Sequence, residues 1–146
     1  MQSPCKSWLL VGLQFSLAGS LLLFCQPEIV YVSVICYIFG IGLGVWAVAT
    51  MGLGNFNVVP DVKPTATLVN QKLPYRVIRH PMYSSVLLIC LGLVFQPFSG
   101  VKLILFALLA IVLDTKAKYE ERLLQQKFPE YTEYQARTRR FVPRIY

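Results

Sequence analysis

The chain has 146 residues, 55% of them hydrophobic and only 14% charged, with a net charge of +7 and a mean hydropathy of +0.55. Water-soluble domains carry about 25% charged residues, so this composition argues against a soluble globule and places much of the chain in a bilayer. The basic excess contains no Lys/Arg run interleaved with aromatics on a soluble scaffold, so no nucleic-acid partner is expected.

Charge is also unevenly spread. Residues 1–60 hold only Lys6 and Glu28, residues 84–113 hold only Lys102, and every other charge lies in 61–83 or 114–146. Trp8 to Cys25 is uncharged, as is Ile29 to Met51, and each approaches the ~20 residues that span a hydrocarbon core. Both predict transmembrane helices. The turn Gln26-Pro27-Glu28 between them makes an antiparallel hairpin. A secretory signal is opposed by the apolar run continuing through Leu21-Leu22-Leu23-Phe24 and by the second span that follows at once. Gly40 and Gly44, with Gly42 between them, have the small-xxx-small spacing that allows close helix approach, either inside the bundle or in a dimer. The oligomeric state stays open.

The third apolar region, Ser84 to Leu113, is broken by Gln96-Pro97-Phe98-Ser99-Gly100. Its arms of ~12 to 14 residues are short for two spans. Either they borrow Pro81-Met82-Tyr83 and Asp114 to Lys118 at their ends, or they form a shallow hairpin against the first two helices. Beyond them a helix should continue to Lys127 or Phe128, end at Pro129, and give way to a short amphipathic helix over Glu130 to Arg137. The expected fold is an all-α integral membrane bundle forming a single domain, 1–146. It divides into a transmembrane hairpin (1–53), a loop (54–83), a membrane helical hairpin (84–113), and a helix with tail (114–146). Lys6, the loop cations Lys63, Lys72, Arg76 and Arg79, and the tail from Lys116 onward all fall on one side, so both termini are expected to be cytoplasmic. Cys5, Cys25, Cys36 and Cys90 show no metal or CxxC spacing and should be free thiols.

Chemistry-bearing residues gather in the two charged segments, which emerge on the same face. Tyr75-Arg76-Val77-Ile78-Arg79-His80-Pro81-Met82-Tyr83 concentrates guanidiniums, phenols and the single histidine where the loop enters the third apolar region. Pro81 suits the first turn of a helix, whose free N–H groups attract a carboxylate or phosphate. The same residues also read as positive-inside anchors, an aromatic belt and a helix-capping histidine. Lys116 and Glu120 lie one turn apart and can pair. Carboxylates this near a membrane usually face a polar cavity, which makes Glu120 and Glu121 candidates. Arg139, Arg140 and Arg144 suit anionic headgroups. Gly52-Leu53-Gly54 lacks the third glycine of a dinucleotide fingerprint, and a single histidine makes a protein zinc site improbable.

Together, Leu68-Val69, Pro74-Tyr75-Arg76, Arg79-His80-Pro81-Met82-Tyr83, Glu120-Glu121, Phe128, Tyr131, Tyr134 and Val142-Pro143-Arg144 resemble the isoprenylcysteine carboxyl methyltransferase family and its phospholipid-methylating relatives. The likeness covers roughly residues 55 to 146. It implies an integral membrane methyltransferase that uses S-adenosyl-L-methionine. On that resemblance Thr67, Leu68, Val69, Tyr75, His80, Pro81, Met82, Tyr83 and Glu120 are its cofactor-binding residues, and Arg79 joins them as a cation suited to the cofactor's carboxylate. Lys116 falls where the isoprenylcysteine enzymes have a substrate-site arginine; lysine keeps the charge but loses the planar fork that grips a carboxylate. Asn70-Gln71-Lys72-Leu73 also departs from the family's shorter, glycine-containing pattern.

The implied acceptor is lipophilic: an isoprenylcysteine-like carboxylate, an aminophospholipid or a small hydrophobic molecule. A carboxylate acceptor needs no base, whereas an amine must reach the attacking atom neutral and could pass its proton to Glu120 or Glu121. Two other readings stay open, a sterol-reductase-type enzyme with a nicotinamide cofactor and a non-catalytic membrane scaffold or lipid-binding protein.

Overall fold

A computed structural model describes residues 4–26, 28, 30–52, 58–60, 67–143 and 145. Five helices follow one another among them: α1 (Pro4–Leu23), α2 (Tyr31–Met51), α3 (Pro81–Val94), α4 (Gly100–Lys127) and α5 (Tyr131–Arg137). The described residues form no strand, only isolated bridges at Ile78–Arg139 and Phe95–Phe98. The all-helical class is as expected.

α1 begins four residues before the uncharged run, at Pro4, because proline suits a first helical turn and Lys6 and Ser7 propagate a helix regardless of their polarity. Hydropathy marks where the bilayer ends, not where the helix does. α2 ends at Met51, and Gly52 leaves the helix with φ of 75°, a left-handed backbone that glycine alone adopts without strain. Both helices are long and apolar enough to cross a membrane. Their outward side chains are large and apolar, among them Trp8, Phe15, Ile38, Phe39 and Trp46, all exposed. In water such a face would be costly; against lipid it is the ordinary surface.

α3 takes in Pro81-Met82-Tyr83, and α4 runs unbroken through Asp114 to Lys118, so both arms borrow from the charged segments. At 14 residues α3 is ~21 Å long, still short of a full span. The break between them is a turn held by a buried cation. Lys102 donates to the carbonyls of Leu93 (3.4 Å), Gln96 and Pro97 (2.9 Å), placing an ammonium on the negative end of α3. Gln96 in turn joins neighbouring chain ends. Its carbonyl accepts from the Gln26 N–H, its amide nitrogen donates to the Glu28 carbonyl, and its side-chain oxygen accepts from Tyr37. The end of α1, the start of α2, the end of α3 and the start of α4 therefore share one end of the bundle.

The first two helices are consecutive but do not pack on each other. Expected as a hairpin pair, α1 and α2 make no close backbone contact among the described residues; α2 lies along α3 and α1 along α4. Small residues decide this. A Cβ on Gly40 would stand 2.8 Å from Ile89 Cγ1 and 3.1 Å from the Ile89 backbone nitrogen, and one on Gly44 would stand 2.5 Å from Ser85 Oγ. The glycine face is thus occupied within the chain by α3, and Ser85 seals it by donating to the Gly40 carbonyl at 2.6 Å. Gly92 of α3 reciprocates by admitting the Tyr37 ring. The core where α1, α3 and α4 meet contains Leu21, Cys90, Leu93, Val94, Leu109 and Leu113. All four cysteines are free.

Candidate functional site

At the opposite end of the bundle from Gln96, the loop, α4 and the tail converge. The segment before α3 pairs with the tail. Arg79 N–H donates to the Arg139 carbonyl (2.8 Å), Arg139 N–H to Val77 (3.1 Å) and His80 N–H to Arg140 (3.0 Å). Two phenols pin the loop from either side: Tyr75 donates to the Ala47 carbonyl of α2 at 3.3 Å, and Tyr134 of α5 donates to the Tyr75 carbonyl at 2.6 Å. Pro81 occupies the first turn of α3, as expected, and His80 stands at its N-cap without a side-chain cap bond.

Glu121 is the electrostatic hub. Its carboxylate accepts from Arg79 Nε (2.8 Å), Arg140 Nη2 (2.7 Å), Gln135 Nε2 (3.1 Å) and His80 Nε2 (3.2 Å), and its side chain is only 4% exposed. Burial alone would raise its pKa, but hydrogen bonds from His80, Arg140 and Arg79 outweigh burial and hold it well below the usual carboxylate range. Arg140 reaches on to Asp114 at 2.8 Å, and Arg79 also donates to the carbonyls of Gln135 and Thr138.

Glu120, one residue earlier, has different company. It accepts from the Tyr83 hydroxyl and lies 3.4 Å from His80 Nδ1. His80 therefore bridges the two adjacent carboxylates. Burial disfavours its charged form, yet the hydrogen bonds and negative charge of Glu120 and Glu121 prevail and raise its pKa. The His80 and Tyr83 rings lie parallel, 5.3 Å apart.

These groups border a cavity of about 430 Å³, within the ~300–1,000 Å³ range of small-molecule sites. Thr67, Leu68, Val69 and Tyr75 line it from the loop; Arg79, His80, Pro81, Met82 and Tyr83 from the start of α3; and Lys116 and Glu120 from α4. The structure thus brings together residues expected from the sequence that lie up to 53 positions apart (Thr67 to Glu120). Glu121 is not among the lining residues. The interfacial-anchor reading survives only for Arg76, which is exposed. Tyr75, Arg79 and His80 are turned inward, and the Arg79 guanidinium is engaged with Glu121.

The expected Lys116–Glu120 ion pair is not formed. Lys116, 1% exposed, donates instead to Gln14 Oε1 and to the Val58 carbonyl, both at 2.8 Å, with its ammonium 5.1 Å from the Tyr83 ring centre. Burial lowers its pKa, opposed in part by Glu120. The one-turn pair on this helix is Lys118–Asp114, 2.7 Å. In the tail, Arg140 is drawn into the hub, Arg139 is exposed, and Arg144 lies outside the described residues, as do Lys63 and Gly54.

Sequence reasoning passed over the bilayer side of the cavity: Gln14 and Phe15 of α1, and Gly44, Val48 and Met51 of α2. One signal was present. Gln14 is an amide in the middle of an apolar span, and polar groups there commonly face an internal cavity. Among the described residues no three His, Cys, Asp or Glu side chains are placed to share a metal ion.

Comparison with known proteins agrees with the likeness carried by Arg79–Tyr83 and Glu120–Glu121. The phospholipid methyltransferase family profile matches residues 29–131. A 73-residue stretch is 38% identical to the cobalt-zinc-cadmium resistance protein CzcN of Cupriavidus metallidurans, covering 49% of this chain and 34% of that protein. The matched stretch spans about a third of the length of that curated relative.

Proposed function

The chain belongs to the phospholipid methyltransferase family, and on that premise we propose that it is an integral membrane, S-adenosylmethionine-dependent methyltransferase acting on a lipophilic acceptor. The observation that carries the reading is one cavity that has a carboxylate-bearing wall on one side and residues of α1 and α2 on the other. The donor set suits the cofactor. Its ammonium and hydroxyls call for acceptors, which Glu120 and the 67–69 backbone supply; its carboxylate calls for the positive charge around His80; its adenine calls for apolar walls such as Pro81, Met82 and Leu124. When bound, S-adenosylmethionine supplies an electrophilic methyl group on positively charged sulfur.

The protein's own part is alignment and exclusion of water. Tyr83 and His80 fix the direction of the Glu120 carboxylate from two sides. Lys116, whose described hydrogen bonds go only to neutral oxygens, is positioned to hold an anionic group of the acceptor. If the acceptor atom is an amine, Glu120 takes its proton, because Glu121 is locked in its ionised form by two guanidiniums. A lipid acceptor enters sideways from the bilayer between α1 and α2, whose backbones stay apart and whose Phe15 and Val48 line the cavity. In this reading the site face and both termini are cytoplasmic.

Titration calorimetry of the purified chain with S-adenosylhomocysteine tests the proposal. Saturable binding is expected, with at least a tenfold loss in Glu120→Ala. Folded protein that takes up no S-adenosylhomocysteine overturns it, and displacement by NADPH would point instead to the reductase reading.

A further inference from the structure

A second cavity, about 780 Å³, is bounded by a different face of α2 and α3 and shares no lining residue with the first. Its walls are almost wholly apolar. Ile38, Phe39 and Trp46 of α2 face Leu87 and Leu91 of α3, and Phe106 of α4 lies beside them. Ser84 lines it too, but its hydroxyl is spent on the Phe141 carbonyl at 2.7 Å. Such a space on the outer side of a membrane bundle is filled by hydrocarbon.

Its upper rim distinguishes it from ordinary lipid-facing surface. Here the wall passes from the helices to Leu73, Pro74, Val77 and Ile78 of the loop and to Phe141 of the tail. Lys72 and Arg76 are interleaved with those loop residues, and Arg139 is bridged to Ile78. In the tail, Thr138 and Arg140 reach Arg79 and Glu121, whereas Arg139 between them is exposed and Phe141 lines the groove. Lys72, Arg76 and Arg139 are all exposed. None forms an ion pair with another described residue, and no residue lining the groove is acidic.

An apolar slot in the bilayer, with three exposed cations next in the chain or bridged to its rim residues and no ion pair to another described residue, is complementary to one kind of molecule. We propose that this groove is a binding site for an anionic phospholipid of the surrounding membrane, with an acyl chain between α2 and α3 and the phosphate among Lys72, Arg76 and Arg139. The site is separate from the methyl-transfer cavity and does not depend on that assignment. Its occupant braces the loop–tail pairing from outside, since Arg139 belongs to that pairing and Arg76 directly precedes its loop side.

Trp46 lines the groove and Trp8 is the only other tryptophan, so fluorescence reads occupancy directly. The full chain carrying Trp8→Phe is reconstituted in phosphatidylcholine bilayers containing phosphatidylglycerol or phosphatidylcholine brominated on the acyl chain. The expected result is stronger quenching of Trp46 by the brominated phosphatidylglycerol at equal mole fraction. Substituting K72Q, R76Q and R139Q singly should lower that preference roughly fivefold per charge removed, and the triple variant should abolish it. Gly42 has open space where a Cβ would stand, so Gly42→Leu should fill the groove and reduce quenching by both lipids while far-UV helicity is retained. Equal quenching by the two lipids, or a preference untouched by the charge substitutions, overturns the proposal. Quenching by neither lipid, with the chain dimeric, would show instead that a second copy covers the groove.

Discussion

Two adjacent glutamates illustrate how little side-chain type alone decides. Glu121 is anchored by two guanidiniums and an imidazole; Glu120 faces the cavity with a phenol and the other side of the same imidazole. Removing one partner of a buried charge network leaves the rest uncompensated, at a cost of about 3–5 kcal/mol. Glu121→Ala is therefore expected to lower stability by ~3 kcal/mol or more in denaturant or thermal unfolding, whereas Glu120→Ala should cost less stability and lose cofactor binding. The pair also sets a pH dependence. The pKa of Glu121 is depressed on folding, so its contribution is present above its unfolded value of about 4.5 and is lost as pH falls toward the folded value. His80 has the opposite sign: its raised pKa contributes fully below 6.5 and is lost as pH rises through the higher folded value. Melting temperatures across pH should show both declines, and His80→Gln should remove the alkaline one.

At the scale of elements, the packing of α2 on α3 rests on positions where a methyl group does not fit. Gly40→Ala meets both a side chain and the backbone of Ile89, and overpacking of this kind costs about 1–3 kcal/mol. Gly42→Ala enters open space and should change stability by no more than ~0.5 kcal/mol. Thermal unfolding of the two variants in detergent gives the comparison. Lys102 tests the other end of α3. Replacing it with Met keeps the apolar stem but leaves the carbonyls of Leu93, Gln96 and Pro97 without their cation, an expected loss of about 1–3 kcal/mol.

Across the whole molecule, the cavity is assembled by groups that do not line it. Every lining residue precedes Gln135, yet the segment carrying Arg79 and His80 is held by backbone bonds to Arg139 and Arg140. A chain ending after Arg137 keeps the complete lining and loses this pairing. It is expected to retain most of its helicity by circular dichroism but to bind S-adenosylhomocysteine at least tenfold more weakly, or not at all, by calorimetry.

What was legible in the sequence by itself is what depends on local solvation and local backbone chemistry. Uncharged runs must lie in lipid, Pro81 starts a helix, Pro129 stops one, and Arg79-His80-Pro81-Met82-Tyr83 with Glu120-Glu121 identifies the family. Helix partners were not legible, because hydropathy treats every apolar face alike. Only the tertiary structure shows that Gly40 and Gly44 draw α2 onto α3, with no close backbone contact between α2 and α1 among the described residues. Nor could spacing say which neighbour faces inward. Successive residues on a helix point about 100° apart, so one carboxylate meets the cavity and the next meets the arginines. Lys116 turns from its one-turn neighbour to Gln14, 102 residues away, because buried ammonium must find oxygen and the fold supplies it there.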